Sequence, residues 1–567
     1  MPSSQGPIAS ERTIAERVGN QTIYRADIDI PIPELDVLSF LFDNPGCNTR
    51  SEDAPVHIDA ANPENRVTKA QARDLVRRIA HALRTRFGVG NGTIVTALST
   101  GSYVLPNVFY GVVAAEGVYS AVPASATVEE LVRFVKGAPS EIIICSDDVK
   151  PTALEAARVC GIPMSKVLVI DAGAKPALRV ADTGENVLGN EILEWPRLKG
   201  EKLETPVCLV YSSGTTGLPK GVTLNHCNMV AECVIAIDQM RSQMDHLAPD
   251  MGYRTLGHLP TAHIAGMQGY FINPFYAGGP TYWMAKFDFA KFLEYMKRYQ
   301  ITCLFTVPPI YLLIAKSPVV TDQLVHLRHA IAGAAPLGKE LQMEASRKLG
   351  GGKTFIVQTW GLSESTGSAT LLNFQEQDDT GSIGRLLPSI TARLVDDNDV
   401  DAPPNTPGEI LLKGPIIFRS YHRNPTATNE AFTPDGWFRT GDVGVFRDGL
   451  FYIIDRKKEL IKYKGLQVAP AELEDLLVSH PLILDAAVIG VPQGHTEVPR
   501  AYVVADRSKI SAAEIEAFVK DRLASYKQLR GGVVFLDAIP KSPSGKIMRK
   551  DLRELAKKES RETGAKL

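Results

Sequence analysis

From about Thr68 onward, short apolar runs rich in β-branched residues alternate with segments whose apolar positions recur at helical spacing. EIIICS (141–146) and ITCLFTV (301–307) predict strands, while VEELVRFVKG (128–137) and KFLEYMKRYQ (291–300) predict helices. This alternation predicts an α/β unit layered around a largely parallel sheet. Beyond Pro388 the pattern changes to short strands separated by turn residues, ARLVDDNDV, GEILLKG and GWFRTGDVGVFRDGLFYIID, which predict a β-rich subdomain closing the large unit. After Asp455, the segments PAELEDLLVSH, DAAVIGV, RAYVVAD, AAEIEAFVKDRL and GGVVFLD predict a small separate α+β unit. The boundary is expected in the charged DRKKE segment (455–459), read as a solvated crossover. Residues 104–126 are the most apolar long stretch, but Asn107, Glu116, glycines and prolines interrupt them, so buried helix and strand pieces are expected there. No segment reaches the roughly 18 unbroken apolar residues of a membrane span, and no internal repeat is visible.

Composition narrows the classes of function. With 62 Lys+Arg against 64 Asp+Glu in 567 residues, the net charge of −2 argues against a nucleic-acid groove or an electrostatically held membrane protein. At 44% hydrophobic and 22% charged, the chain has ample material for a large core and for more than one domain. Its seven cysteines all lie between Cys47 and Cys303 without a CxxC pair, so neither a disulfide framework nor a zinc ribbon is expected. The N-terminus lacks an apolar core, and Glu11, Arg12, Glu16 and Arg17 would spoil one, so no signal peptide is expected.

The sharpest local signal is YSSGTTGLPKG (211–221), which follows the apolar run PVCLVY. Glycines such as Gly214 let the backbone approach an anion, the hydroxyls of Ser212, Ser213, Thr215 and Thr216 donate to phosphate oxygens, and Lys220 supplies a point charge. A polyphosphate is the natural ligand, although a plain Ser/Gly surface loop has a similar composition. GxxxxGK[ST] is absent, so this is not a Walker A loop.

Five further motifs follow in order: GAAPLGK (333–339), QTWGLSES (358–365), GWFRTGD (436–442), DRKKELIKYKGLQVAPAELE (455–474) and PKSPSGKIMRK (540–550). Together they resemble the adenylate-forming acyl-CoA synthetase superfamily, and IKYKGLQVAPAELE, VPPIYLLIAKSP and IPKSPSGKIMRKDLR are most similar to its 4-coumarate:CoA ligase and firefly luciferase branch. The resemblance implies a large adenylation domain (1–454), a hinge (455–458) and a small mobile C-terminal domain (459–567). It also implies a two-step reaction: a carboxylate attacks the α-phosphate of ATP to give acyl-AMP and pyrophosphate, and the thiolate of coenzyme A then displaces AMP. Such chemistry depends on positioned cations and donors rather than on a protein nucleophile.

By the same resemblance, Ser212 to Lys220 hold the β- and γ-phosphates, Ser363 donates to the α-phosphate, and Glu364 ligates the Mg²⁺ that bridges the phosphates. Ala334 in GAAPLG, with Gln358, Thr359 and Trp360, forms the adenine slot, where a flat ring can stack; Trp360 replaces a more usual tyrosine, and plain core packing is its other reading. Asp442 takes the ribose hydroxyls with help from Arg456, and His263 lies near the acyl carboxylate. Lys546 serves adenylation, and Lys462, with Gln467 nearby, serves thioester formation. The two lysines alternate as the small domain rotates about Lys458. Lys286, Lys464 and Gly465 match coenzyme A contacts.

The acyl pocket departs from the coumarate pattern. A tyrosine expected two residues after the histidine is Ala265, a glycine before the stacking aromatic is Thr359, and a Pro-Val pair is Gly367-Ser368; Gly269 is a further expected pocket residue. Volume is removed at one wall and added at another, which disfavours 4-coumarate itself and leaves aryl, fatty acyl and polyketide-like acids open. Transfer of the acyl-AMP to a carrier protein is the alternative enzyme reading, and a nucleotide-binding pseudoenzyme is the reading from another class. The last three residues, Ala565-Lys566-Leu567, resemble the S-K-L address, so a peroxisomal import receptor is an expected partner and the peroxisome the expected location, ahead of cytoplasm.

Overall fold

The computed structural model describes residues 11–212, 219–244, 252–464, 466–494, 496–542 and 545–564. It is a mixed α/β structure. An eight-stranded sheet has Val118–Val122, Ile94–Leu98, Ser140–Ser146 and Val167–Asp171 parallel at its centre, in register Ile94↔Val118 and Val95↔Ile142. The parallel strands are apolar almost throughout because helices cover both faces. One such helix, Val128–Gly137, starts at a capping box in which Thr127 accepts the Glu130 N–H, and it turns Leu131 and Val135 into the core. Each of those two side chains contributes about 1.5–3 kcal/mol by leaving water. Residues 104–126 resolve into the helix Leu105–Ala114 and the strand Val118–Val122.

A second sheet runs Cys303–Thr306, His329–Ala332, Ile356–Leu362, Gly367–Leu371 and Arg385–Leu386, its first three strands parallel and the rest antiparallel. The region after Pro388 forms an antiparallel sheet from Thr391–Val395, Gly408–Lys413, Phe438–Arg447 and Leu450–Arg456. Two strands from the start of the chain, Thr13–Val18 and Gln21–Ala26, complete it through Thr391↔Arg25 and Ala392↔Tyr24. Nothing in the hydrophobic pattern of the first thirty or so residues pointed to that long-range pairing.

The segment after Asp455 has its own cores. Alternation along Ile483–Gln493 sends Ala486 and Val488 against Leu473, Leu477 and Ile515, and sends Ala487 and Ile489 against Tyr502, Ile539 and Leu552. DRKKE departs from the expected solvated crossover. Leu450–Arg456 extends through Asp455 and Arg456, and Asp455 is buried, accepting N–H groups from Arg456 at 2.7 Å and Ala471 at 3.0 Å. Buried backbone donors at the start of the helix Pro470–Ser479 outweigh the preference of this acid for water.

Candidate active site

The phosphate-loop hairpin pairs Pro206–Ser212 with Lys220–Asn225, so Ser212 and Lys220 face each other at its mouth. Ser213, Gly214, Thr215 and Thr216 lie outside the described residues, as do Gly465 and the terminal Ala565-Lys566-Leu567. The Lys220 ammonium stands 4.8 Å from the centre of the Tyr421 ring, and the Tyr421 hydroxyl donates to Glu364 Oε1 at 2.9 Å. Cation, ring and carboxylate form one line; burial and the Glu364 charge push the Tyr421 hydroxyl above its usual range, so it stays a donor.

Ser363 and Glu364 occupy a tight turn, Ser363–Ser365, between the strands Ile356–Leu362 and Gly367–Leu371, and both are buried. The same strand carries Gln358, Thr359 and Trp360. The Gln358 amide is committed at both ends: its oxygen accepts the Leu337 N–H at 3.3 Å and its nitrogen donates to Gln342 at 3.1 Å. It shapes the 333–338 loop, in which Ala334 has a left-handed φ of 69°. The Trp360 ring packs in the core, and its indole N–H donates to Asp442 Oδ2 at 2.8 Å. Asp442 lies inside the strand Phe438–Arg447, and cross-strand pairing with Arg456 sets the Arg456 Nε 3.4 Å from its Oδ1. Burial raises the Asp442 carboxyl, against the opposing pull of Arg456 and the Trp360 donor.

Lys546 enters this same cleft from the small unit. Burial and the Arg456 charge lower its amine to about 8, while the nearby Glu364 and Asp442 carboxylates pull the other way. His263 is close enough that the Lys546 charge adds to burial in lowering its imidazole to about 3. The ring is therefore neutral, and because Nδ1 accepts the Ala265 N–H at 3.2 Å, its proton resides on Nε2. Lys462, Gln467 and Lys464 are exposed on the hairpin Ile461–Tyr463 and Leu466–Val468. Lys457 chiefly lowers the Asp397 carboxyl, and the Lys462 charge lies near enough to add to this. Lys286 is exposed and paired with Asp148 at 3.1 Å.

Among the described residues, no group of three or more His, Cys, Asp or Glu could hold a metal. A single buried carboxylate beside a phosphate loop nevertheless fits Mg²⁺, which takes one or two protein oxygens and the rest from phosphates and water.

A family model for AMP-binding enzymes matches residues 47–422, and one for their C-terminal domain matches residues 472–546. The chain belongs to the AMP-binding enzyme family. It is 45% identical to an Emericella nidulans protein assigned as an acyl-coenzyme A synthetase, over 94% of this chain and 98% of that one. It is 33% identical to 4-coumarate--CoA ligase 2 of Solanum tuberosum over 95% and 98% of the two chains. The structure superposes on ATP-bound MatB from Rhodopseudomonas palustris, 27% identical, with a TM-score of 0.79 over 92% of this chain and 98% of that chain, against 0.69 for apo MatB.

Two features of this AMP-binding enzyme were not anticipated. Around Lys458, exposed in a turn, Lys457 is tied to Asp397 at 2.8 Å and Glu409 at 3.0 Å in the large unit, and Glu459 is tied to Arg553 of the small one. The second lies in a cavity of about 90 Å³ that brings together the expected pocket positions Ala265, Gly269, Thr359, Gly367 and Ser368 with His263 and Ala334: its wall also holds Glu232, Gln268 and Asn273. Tyr421 carried no sequence signal. Glu232 did carry one, as a lone acid in the apolar run MVAECVIAI on the helix His226–Met244.

Proposed function

We propose that this AMP-binding enzyme is an AMP-forming carboxylic acid:CoA ligase, releasing pyrophosphate as acyl-AMP forms and AMP as the thioester forms. The convergence of Lys546 with Glu364, Asp442, Arg456 and His263 in one cleft, while Lys462 stays exposed, supports this reading and corresponds to the adenylating arrangement. The better superposition on an ATP-bound relative than on its apo form points the same way.

In the adenylation step, a carboxylate oxygen of the acid forms a bond to the α-phosphorus and the bond to pyrophosphate breaks. Asp442 accepts from the ribose hydroxyls through lone pairs not used by Trp360 and Arg456. His263, neutral with its proton on Nε2, donates to the acyl carboxylate without repelling Lys546. Lys546 brings its cation to the oxygens that gain charge as the carboxylate attacks. Glu364, held in place by Tyr421, is the residue that would hold Mg²⁺, which when bound offsets the charge of the phosphates. Thioester formation then calls for Lys462 in place of Lys546, by rotation about Lys458: coenzyme A sulfur bonds to the acyl carbon, the thiol proton departs and AMP leaves.

The test is release of pyrophosphate and AMP over a panel of acids, with and without coenzyme A. Acid-dependent pyrophosphate release, followed by AMP and thioester only when coenzyme A is added, is the expected result. Pyrophosphate release without a CoA thioester would transfer the reading to a carrier-loading enzyme, and neither signal would leave a nucleotide-binding protein without this chemistry.

A further inference from the structure

The wall of the acyl cavity contains a polar group that adenylation does not use. Glu232 and Gln268 are 4% and 2% exposed, yet Glu232 Oε2, Gln268 Oε1 and Asn273 Oδ1 have no hydrogen-bond partner among the described residues. All three atoms are acceptors. Their neighbours in the cavity, Ala236, Ile237, Met240, Phe305 and Leu371, offer them no donor. Leaving an acceptor buried and unpaired is costly, so three in one cavity are a poor arrangement for a pocket meant for a wholly apolar chain.

The group is also built into the backbone. Ser368 N–H donates to Glu232 Oε1 at 3.4 Å, and the amides of Gln268 and Asn273 face the carboxyl. A Cβ at Gly367 would lie 2.5 Å from Glu232 Oε1, so glycine at this pocket position makes room for the acid. Gln268 nitrogen is spent on the Met229 carbonyl at 2.9 Å, which leaves its oxygen unpaired in the cavity wall. Gln268 follows His263 by five residues along a continuous helical stretch, Ile264–Met267 into Gln268–Ile272, a displacement of about 7 Å. With the reacting carboxylate at His263, the acceptor group stands at the other end of a bound acid.

We propose that the acid this enzyme activates carries a primary amino group at the end remote from its carboxylate, held by Glu232 Oε2, Gln268 Oε1 and Asn273 Oδ1. An ammonium has three donors and no acceptor, matching these three oxygens once Glu232 is ionised, whereas a hydroxyl supplies one donor and a methyl none. One carboxylate among two amide oxygens also balances the single positive charge on entry. Burial holds the Glu232 carboxyl up at about 7 in the free protein, and an arriving cation favours its ionised form.

This inference rests on the ligase reading, and a matched series separates their failures. Straight-chain and aryl acids are each supplied in three forms of one length, ending in amino, hydroxyl or methyl, and kcat/KM for pyrophosphate release is measured. Wild type should favour the amino form over the methyl form by about 100-fold or more, as sites that hydrogen-bond a substrate group reject analogues lacking it. Glu232→Gln should reduce that ratio at least about tenfold, and Glu232→Leu should reverse it while sustaining turnover of methyl-ended acids, which also shows that the variant is folded. Preference for hydroxyl or methyl forms, or a ratio unchanged in Glu232→Gln, overturns the proposal with the ligase reading intact. Absence of pyrophosphate release with every acid overturns both.

Discussion

In the proposed adenylation step, Lys546 acts only while it is charged. Its amine is lowered to about 8 in the free protein, so the cation is present below that pH and lost above it. On the alkaline side, kcat/KM for adenylation should fall about tenfold per pH unit beyond that point, since this parameter reports the free enzyme. Lys546→Arg, always charged, should remove that limb at some cost in rate. Lys546→Ala should slow acyl-AMP formation about 100-fold or more yet still convert supplied acyl-AMP to thioester, and Lys462→Ala should do the reverse in single-turnover assays of each half-reaction. Equal losses in both halves for both variants would refute the division of labour. Trp360→Phe keeps a flat ring but removes the donor to buried Asp442. A loss of about 1–2 kcal/mol, roughly tenfold in kcat/KM for ATP with little change in kcat, is expected, and an unchanged value would restrict Trp360 to packing.

At the scale of elements, the turn after Leu450–Arg456 has a fixed residue on either side of Lys458, Lys457 bound to the large unit and Glu459 to the small one. In the proposed rotation, these ties would concentrate the motion at one position. Lys458→Pro should preserve acyl-AMP formation and impair thioester formation, because a locked φ restricts the turn while the adenylating arrangement remains accessible; loss of the first half-reaction instead would refute the hinge assignment. Elements were legible in the chain wherever burial followed a simple period, as in Ser140–Ser146, Phe289–Arg298 and Pro470–Ser479. The extension through Asp455 was not, because the donors that stabilise this acid belong to a helix fifteen or so residues further on. Site residues within ordered motifs, such as Glu364, Asp442 and Lys546, could be nominated because their resemblance covers a string of neighbours. Tyr421 and Asn273 could not, since their importance arises from what folding brings opposite them.

For the molecule as a whole, we propose that the tail Ala565-Lys566-Leu567 is a peroxisomal address with no part in the chemistry. Deleting it should move a tagged protein from peroxisomes to cytosol and leave both half-reactions unchanged; peroxisomal location persisting without it would refute the address. The N-terminal hairpin carries a different consequence. Its partner strand lies far along the chain, as the Leu386 N–H that donates to the Thr13 hydroxyl shows across 373 positions. At about 5–20 residues per second, a ribosome needs roughly 20–75 s to deliver that partner. Throughout this interval any ribbon made by Thr13–Val18 and Gln21–Ala26 is marginally stable and has an open edge, the kind of surface on which nascent chains pair wrongly. Glu16, Arg17 and Arg25 place charges along that ribbon and would keep it apart from other chains until its own sheet arrives.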